Sequence, residues 1–267
     1  MPNGTINLRT GELRPHDPED LLTGITAAEY DPAAPRENFD RFLAAICRDA
    51  NGRDDPAKAR AFQVAFGYSL LGDNREHLLF FITGDERYED RNGRNGKTAL
   101  FNAVAAALGD GYATAFQNKM ICRVGGKAPD PVDRIPLIGA RISVGAELNT
   151  SDILDTGTMK AITGERRTFA RYLHQNAVPI ATTATPWICS NYLPRFSSTE
   201  GAVWERTRRI RLLNYFYAPN GPRPQGHSEP QDPDLARKLE AESSGILAWL
   251  VEGARAYLAN GLPDYAE

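Results

Sequence analysis

The chain has few of the residues that build redox or metal chemistry. Its 267 residues include three cysteines and four histidines. Cys47, Cys122 and Cys189 stand far apart, in no spacing that holds a zinc ion or staples a small domain, and read as reduced thiols without a role. No apolar run approaches the roughly 18 residues of a membrane span. The N-terminus carries no signal-peptide pattern, so the expected location is the cytoplasm, with no membrane partner. A basic excess is missing as well. The 31 Lys and Arg stand against 34 Asp and Glu, for a net charge of −3, which excludes binding nucleic acid through overall charge. Any such contact must come from a local cluster, and two exist: Lys160 with Arg166, Arg167 and Arg171, and Arg206 with Arg208, Arg209 and Arg211. Taken alone, a charge run of this kind is a solvated face.

What is present is a soluble, core-building composition, 42% hydrophobic, organised around one stretch. Leu78-Leu79-Phe80-Phe81-Ile82-Thr83 is an apolar run of strand length. A polar loop follows it, ending in Gly93-Arg94-Asn95-Gly96-Lys97-Thr98, and then Leu100, Val104 and Leu108 recur at helical spacing up to Gly109. This is the order strand, phosphate loop, helix. Glycines let successive backbone N–H groups face an anion, and the helix adds the positive end of its dipole. Gly93, Arg94, Asn95, Gly96, Lys97 and Thr98 are therefore the candidate nucleotide-binding residues, with Lys97 reaching the β/γ-phosphates and the Thr98 hydroxyl ligating Mg²⁺. The pattern departs from G-x-x-x-x-G-K-[ST] at its first position, where Arg91 replaces glycine.

Before the loop, a small hairpin around residues 6–8 and 12–14 leads to two helices, marked by Phe39, Phe42, Leu43 and Ile46 and, after Pro56, by Phe62, Phe66, Leu70 and Leu71. After it, a loop-rich interval runs through Asp133. A strand over residues 141–146 then delivers Glu147, placed to hold Mg²⁺ through water or to polarise an attacking water. A short helix ends near Lys160–Glu165, and residues 168–183 suggest a hairpin with its tip at His174-Gln175-Asn176. Residues 186–190 form another strand, delivering Asn191, which either orients a water or simply starts a turn. Trp204-Glu205-Arg206 leads into a strand over residues 208–213. A Pro/Gly-rich loop covers 218–233, and the tail is helical with a break near Gly245. The predicted organisation is a hairpin, connector and helical prelude over 1–75, an ATPase core over 76–230 and packing helices over 231–267.

In this order the motifs resemble the superfamily 3 helicase domain of the phage and plasmid primase family. Asn95-Gly96-Lys97-Thr98 is similar to its first nucleotide motif, Arg141 through Glu147 to its acidic strand, and Lys160, Thr163, Gly164 and Arg171 to the motif entering its DNA-contacting hairpin. Asn191 matches the sensor, and Trp204 with Arg206 the segment carrying an arginine finger. The resemblance implies an α/β fold, an AAA+-like phosphate-loop ATPase with a central mainly parallel sheet, a DNA-contacting β-hairpin and flanking helices. It implies ATP and Mg²⁺ as ligands, with Thr98 and Glu147 at the metal and Lys97, Glu147, Asn191 and Arg206 as catalytic residues. It implies DNA contact through Lys160, Arg171 and His174, and a hexameric ring around single-stranded DNA in the cytoplasm of a bacterial host cell. A primase or polymerase partner, or a primase domain N-terminal to this segment, belongs to the same expectation. Two other readings fit parts of the pattern: a nucleotide-binding ring module that recruits a primase or polymerase with little unwinding, and a monomeric phosphate-loop kinase.

Overall fold

The computed structural model describes residues 1–87, 93–145, 148, 151–165, 167–172, 174–197, 201–224 and 227–264. The N-terminal pair is antiparallel, β1 (Thr5–Ile6) with β2 (Leu13–Arg14), and α1 (Glu37–Ile46) follows. The helix α2 (Pro56–Ser69) starts where the Asp55 carboxylate accepts from Lys58 N and Pro56 supplies a preset φ. Next come β3 (Leu79–Thr83), α3 (Lys97–Leu108), β4 (Ala113–Phe116), β5 (Cys122–Arg123), a 3-10 turn over Pro131–Leu137, β6 (Ile142–Gly145), β7 (Ile153–Leu154) and α4 (Thr156–Gly164). The remaining elements are β8 (Arg167–Ala170), β9 (Val178–Ala181), β10 (Thr185–Cys189), β11 (Arg195–Phe196), α5 (Gly201–Glu205), β12 (Thr207–Arg211), β13 (Tyr215–Tyr217), β14 (Ser228–Pro230), α6 (Leu235–Ala241) and α7 (Ser243–Asn260). They pack as two compact units, each assembled from separated stretches of chain.

The first unit, residues 1–70, 84–112 and 211–267, is mainly helical. The aromatic stripe read as core packing is core: Phe39 meets Trp249 edge-on at 5.0 Å and Phe66 meets Phe101 at 5.4 Å, contacts that add to the burial of the rings themselves. The Glu242 carboxylate at the head of α7 accepts from the backbone N–H groups of Asn38 and Phe39, satisfying donors that the first turn of α1 leaves open. The tail breaks at Glu242 rather than near Gly245, because Gly245 serves close approach instead of helix termination. A Cβ there would lie 2.5 Å from the Pro35 carbonyl oxygen. Gly67 of α2 has the same task against α7, since its Cβ would stand 2.0 Å from Ala254 N. Gly67→Ala would gain about 1 kcal/mol of helix propensity, but overpacking against backbone that cannot yield costs about 1–3 kcal/mol. We expect a thermal midpoint lower by several degrees in calorimetry, and an unchanged or raised midpoint would show that the helices can part.

The second unit, residues 71–83 and 113–210, holds the central sheet in the order β12-β3-β10-β6-β4. The strands β3, β10, β6 and β4 run parallel, so their C-terminal ends open on one edge, where ligands of such sheets collect. One face packs Leu79, Phe81, Phe116 and Ile188 on Leu154, Met159 and Ile162. Phe80 and Trp187 stack at 4.3 Å as register partners. The strand β4 lies in the interval read as loop. Its Ala113-Thr114-Ala115 is short and weakly apolar, and it becomes a strand because β6 offers it an edge, Phe116 lying against Gly145 where any side chain would collide.

Candidate functional site

In the first unit the loop reaches α3 through Gly96, which sits at φ 86° with no side-chain cap on the helix. A Cβ at Gly96 would lie 2.6 Å from Ile46 Cγ2, so both conformation and packing demand glycine. Asn95 is buried and donates from Nδ2 to the Asn214 carbonyl at 2.9 Å. Its Oδ1 accepts from Lys97 Nζ at 3.3 Å, which turns the buried lysine toward the loop. From the other side, Phe216 N donates to the Arg94 carbonyl at 2.9 Å. The loop is thus fastened to β13, while Gly96, having no side chain, caps none of the N–H groups at the start of α3. Gly93 is half-buried and Thr98, in the first helical turn, is exposed.

These features fit the phosphates of a nucleotide: a helix start without a capping side chain, a lysine held beside it and a glycine that nothing else can replace. They also fit Mg²⁺ at the Thr98 hydroxyl, for such an ion takes its remaining ligands from phosphate and water. Upstream, Arg87 forms a two-pronged pair with Asp85 at 2.8 and 2.7 Å. Burial works to raise the Asp85 pKa, yet the Arg87 bonds prevail and hold it below the usual carboxylate range. Arg91 lies outside the described residues. Beside Gly96 and Ala99 opens a cleft of about 340 Å³.

In the second unit, Asn191 is half-buried two residues beyond β10, on the sheet edge where the parallel strands end. Glu147, two residues beyond β6, lies outside the described residues. Arg206 stands at the start of β12, and its Nη1 donates to Thr163 Oγ1 at 3.2 Å. Gly164 makes room for that guanidinium, since a Cβ there would come within 2.3 Å of Nη1. The carbonyl of Arg206 accepts from Leu79 N at 2.8 Å, which sets β12 beside β3. Lys97 and Thr98 belong to one unit, Asn191 and Arg206 to the other.

The hairpin lies where the alternation put it. Thr168 faces Ile180 and Ala170 faces Val178, and His174 is exposed at the turn with φ 61°. Lys160 is half-buried on α4, whose start is capped by Asp155 accepting from Thr158 N at 2.8 Å. Arg171 does not stand open: it holds both oxygens of Asp130 at 3.1 and 3.0 Å. The Val132 backbone N–H and then Arg171 keep that carboxyl below its ordinary range. Arg166 lies outside the described residues. Two aromatic residues escaped the sequence reading, Phe169 and Tyr172, 57% and 52% exposed on the same hairpin. The signal for Phe169 was its place between Thr168 and Ala170, which take the inward positions. All three cysteines are buried, and burial pushes the Cys122 thiol up to about 12, away from the reactive thiolate. Among the described residues no helix is long and apolar enough to cross a membrane.

Comparison with known proteins gives a consistent set. The family described as "D5 N terminal like" matches residues 1–48. A protein of Acanthamoeba polyphaga mimivirus named "Putative helicase L207/L206" is 24% identical over 97% of this chain and 27% of its own length. An African swine fever virus protein (isolate Warthog/Namibia/Wart80/1980) named "Putative primase C962R" is 32% identical over 78% of this chain and 21% of its own. The chain thus spans about a quarter of the length of these relatives. Among solved structures, the A form apo structure of the NrS-1 C terminal region aligns with a TM-score of 0.59 and 10% identity, covering 88% of this chain and 51% of that one. That likeness concerns the fold, a mixed α/β arrangement with a central parallel sheet.

Proposed function

We propose that the chain is a superfamily 3 DNA helicase of the primase-helicase family, hydrolysing ATP at the subunit interfaces of a ring to translocate on single-stranded DNA, a reading its family match and viral relatives support. The observation that carries the reading is the loop before α3, with Gly96 fixed by packing, Lys97 held inward by Asn95 and the helix start uncapped. In it Lys97 neutralises the transferring phosphate. Thr98 and Glu147 hold Mg²⁺, which when bound screens phosphate charge. Glu147 takes a proton from water, Asn191 orients that water, and Arg206 offers its charge to the nucleotide of a neighbouring subunit. The fold in this reading is AAA+-like and the ring a hexamer.

Single-stranded DNA runs past the hairpin. Lys160, Arg171 and His174 meet phosphate and sugar, and Phe169 and Tyr172 offer faces on which bases stack. Arg171 exchanges Asp130 for phosphate at little cost, since that ion pair is partly exposed. A few concentrated charges thereby suffice in a protein of negative net charge. A primase or polymerase, in the same polypeptide or separate, is the partner. The phage resemblance favours a bacterial host cell, whereas the relatives from Acanthamoeba polyphaga mimivirus and African swine fever virus favour replication of a large DNA virus.

The test is ATPase rate with and without single-stranded DNA, read beside mass in solution. DNA-stimulated turnover in a ring-sized species is the expected result, and DNA-independent turnover by a monomer would overturn the reading. Replacing Lys160, Arg171 and His174 together by alanine should weaken single-strand binding and make its dependence on log salt shallower, by about one unit of slope for each phosphate left without its cation. Equal affinity in parent and variant would reduce the cluster to a solvated face.

A further inference from the structure

The cleft beside the phosphate loop lies wholly within the first unit. Its walls are apolar where Phe42, Ala99 and Phe216 meet, and it carries the cations Arg41 and Arg94 at its exposed side. At about 340 Å³ it falls at the small end of ligand pockets, which run from about 300 to 1,000 Å³. The acidic residues on its wall are already engaged, Glu229 by Arg48 at 2.8 Å and Asp232 by Lys238. Arg41 and Arg94 make no ion pair among the described residues, so the exposed side of the cleft favours an anionic group.

Gln231 supplies a directional polar group. It follows β14, its backbone N–H donates to the Tyr217 carbonyl at 2.8 Å, and its Nε2 donates to the Phe216 carbonyl at 3.0 Å. The second bond fixes which end of the amide is which, because a carbonyl can only be met by the NH₂. The oxygen Oε1 is left as an acceptor with no partner among the described residues. Adenine presents an exocyclic amino donor at the position where guanine presents a carbonyl. An acceptor held in place bonds the first and repels the second, and a fixed polar group left unpaired against the wrong base lowers its affinity.

We infer that this cleft is the base subsite of the nucleotide, and that Gln231 selects adenine over guanine there. The inference rests on the nucleotide reading of the loop and adds to it the identity of the base and the residue that reads it. Apolar walls take the flat faces of the purine, Gln231 takes its edge, and Arg94, itself in the loop, lies toward the phosphates.

Calorimetric binding of ATP, GTP and inorganic triphosphate, each with Mg²⁺, to the full chain and two variants tests it. The parent should prefer ATP over GTP by about tenfold, the worth of one hydrogen bond gained or left unmade. Gln231→Leu keeps the bulk, removes the acceptor and should bring the ratio close to one. Ala99→Phe fills the cleft from α3 and should weaken ATP to the level of triphosphate, with triphosphate affinity unchanged. A parent without base preference, or a Gln231→Leu variant that keeps it, overturns the inference and leaves the nucleotide reading standing. ATP affinity untouched by Ala99→Phe does the same. Binding of neither ATP nor triphosphate to the parent overturns both.

Discussion

Alanine in place of Lys97 is expected to lower ATP turnover by at least a hundredfold, the scale of losing one aimed charge or donor at a reacting group. The lysine is nearly buried and its ammonium is placed by Asn95 Oδ1 at 3.3 Å, with Asn95 itself tied to Asn214. It therefore meets phosphate without first being ordered. The substitution also strips Asn95 of one partner, which costs stability of about 1–3 kcal/mol but leaves the Phe216 and Asn214 ties of the loop intact. Turnover measured beside a thermal melt separates the two effects. Hydrolysis at the parent rate by a folded variant would show that the loop does not hold the transferring phosphate.

Loss of Arg206 should be as severe, about a thousandfold or more in turnover, with ATP binding kept, because a finger meets charge that develops only in the transition state. Its resting place gives the prediction an edge. The guanidinium lies on Thr163 and Gly164, with one modest bond at 3.2 Å and a half-buried position, so it can leave without exposing a core. Mixing decides the geometry. Subunits with Arg206→Ala and subunits with Lys97→Ala, each inactive, should recover part of the ATPase when assembled together, since a finger from one serves the intact loop of the other. No recovery in verified mixed rings would place Arg206 within its own subunit or make it a packing residue.

Much of the frame was legible because it depends on local chemistry. Strand β3, the glycine-lysine turn, the helix up to Gly109 and the hairpin around His174 each follow from periodicity and turn residues that neighbours reinforce. What stayed hidden depends on distant partners. The strand β4 owes its state to β6 and to the absence of a side chain at Gly145. Gly245 reads as a helix breaker until Pro35 is found against it. Arg171 reads as an open cation until Asp130, 41 residues earlier, is found holding it. Gln231 sits in a Pro/Gly-rich stretch with no motif, and only the β13–β14 pairing fixes its amide. Spacing placed Asn191 on the sheet edge, but its chemistry there is a matter of the whole nucleotide site.

The bond from Glu242 to the start of α1 joins residues about two hundred apart in sequence, and α7 closes the aromatic core that α1 and α2 begin. During synthesis α1 and α2 therefore emerge with Phe39, Phe62 and Phe66 uncovered, and they stay so until α7 leaves the ribosome. The middle of the chain, which builds the sheet, can be complete sooner. Pairings this remote are slow to form, and exposed aromatic surface in the interval invites association. Within these 267 residues the stretch translated earlier is finished later, and the phosphate loop lies in the unit that waits. A chain cut short before α7 would carry every nucleotide-binding residue named here and still lack the packing that holds them in place.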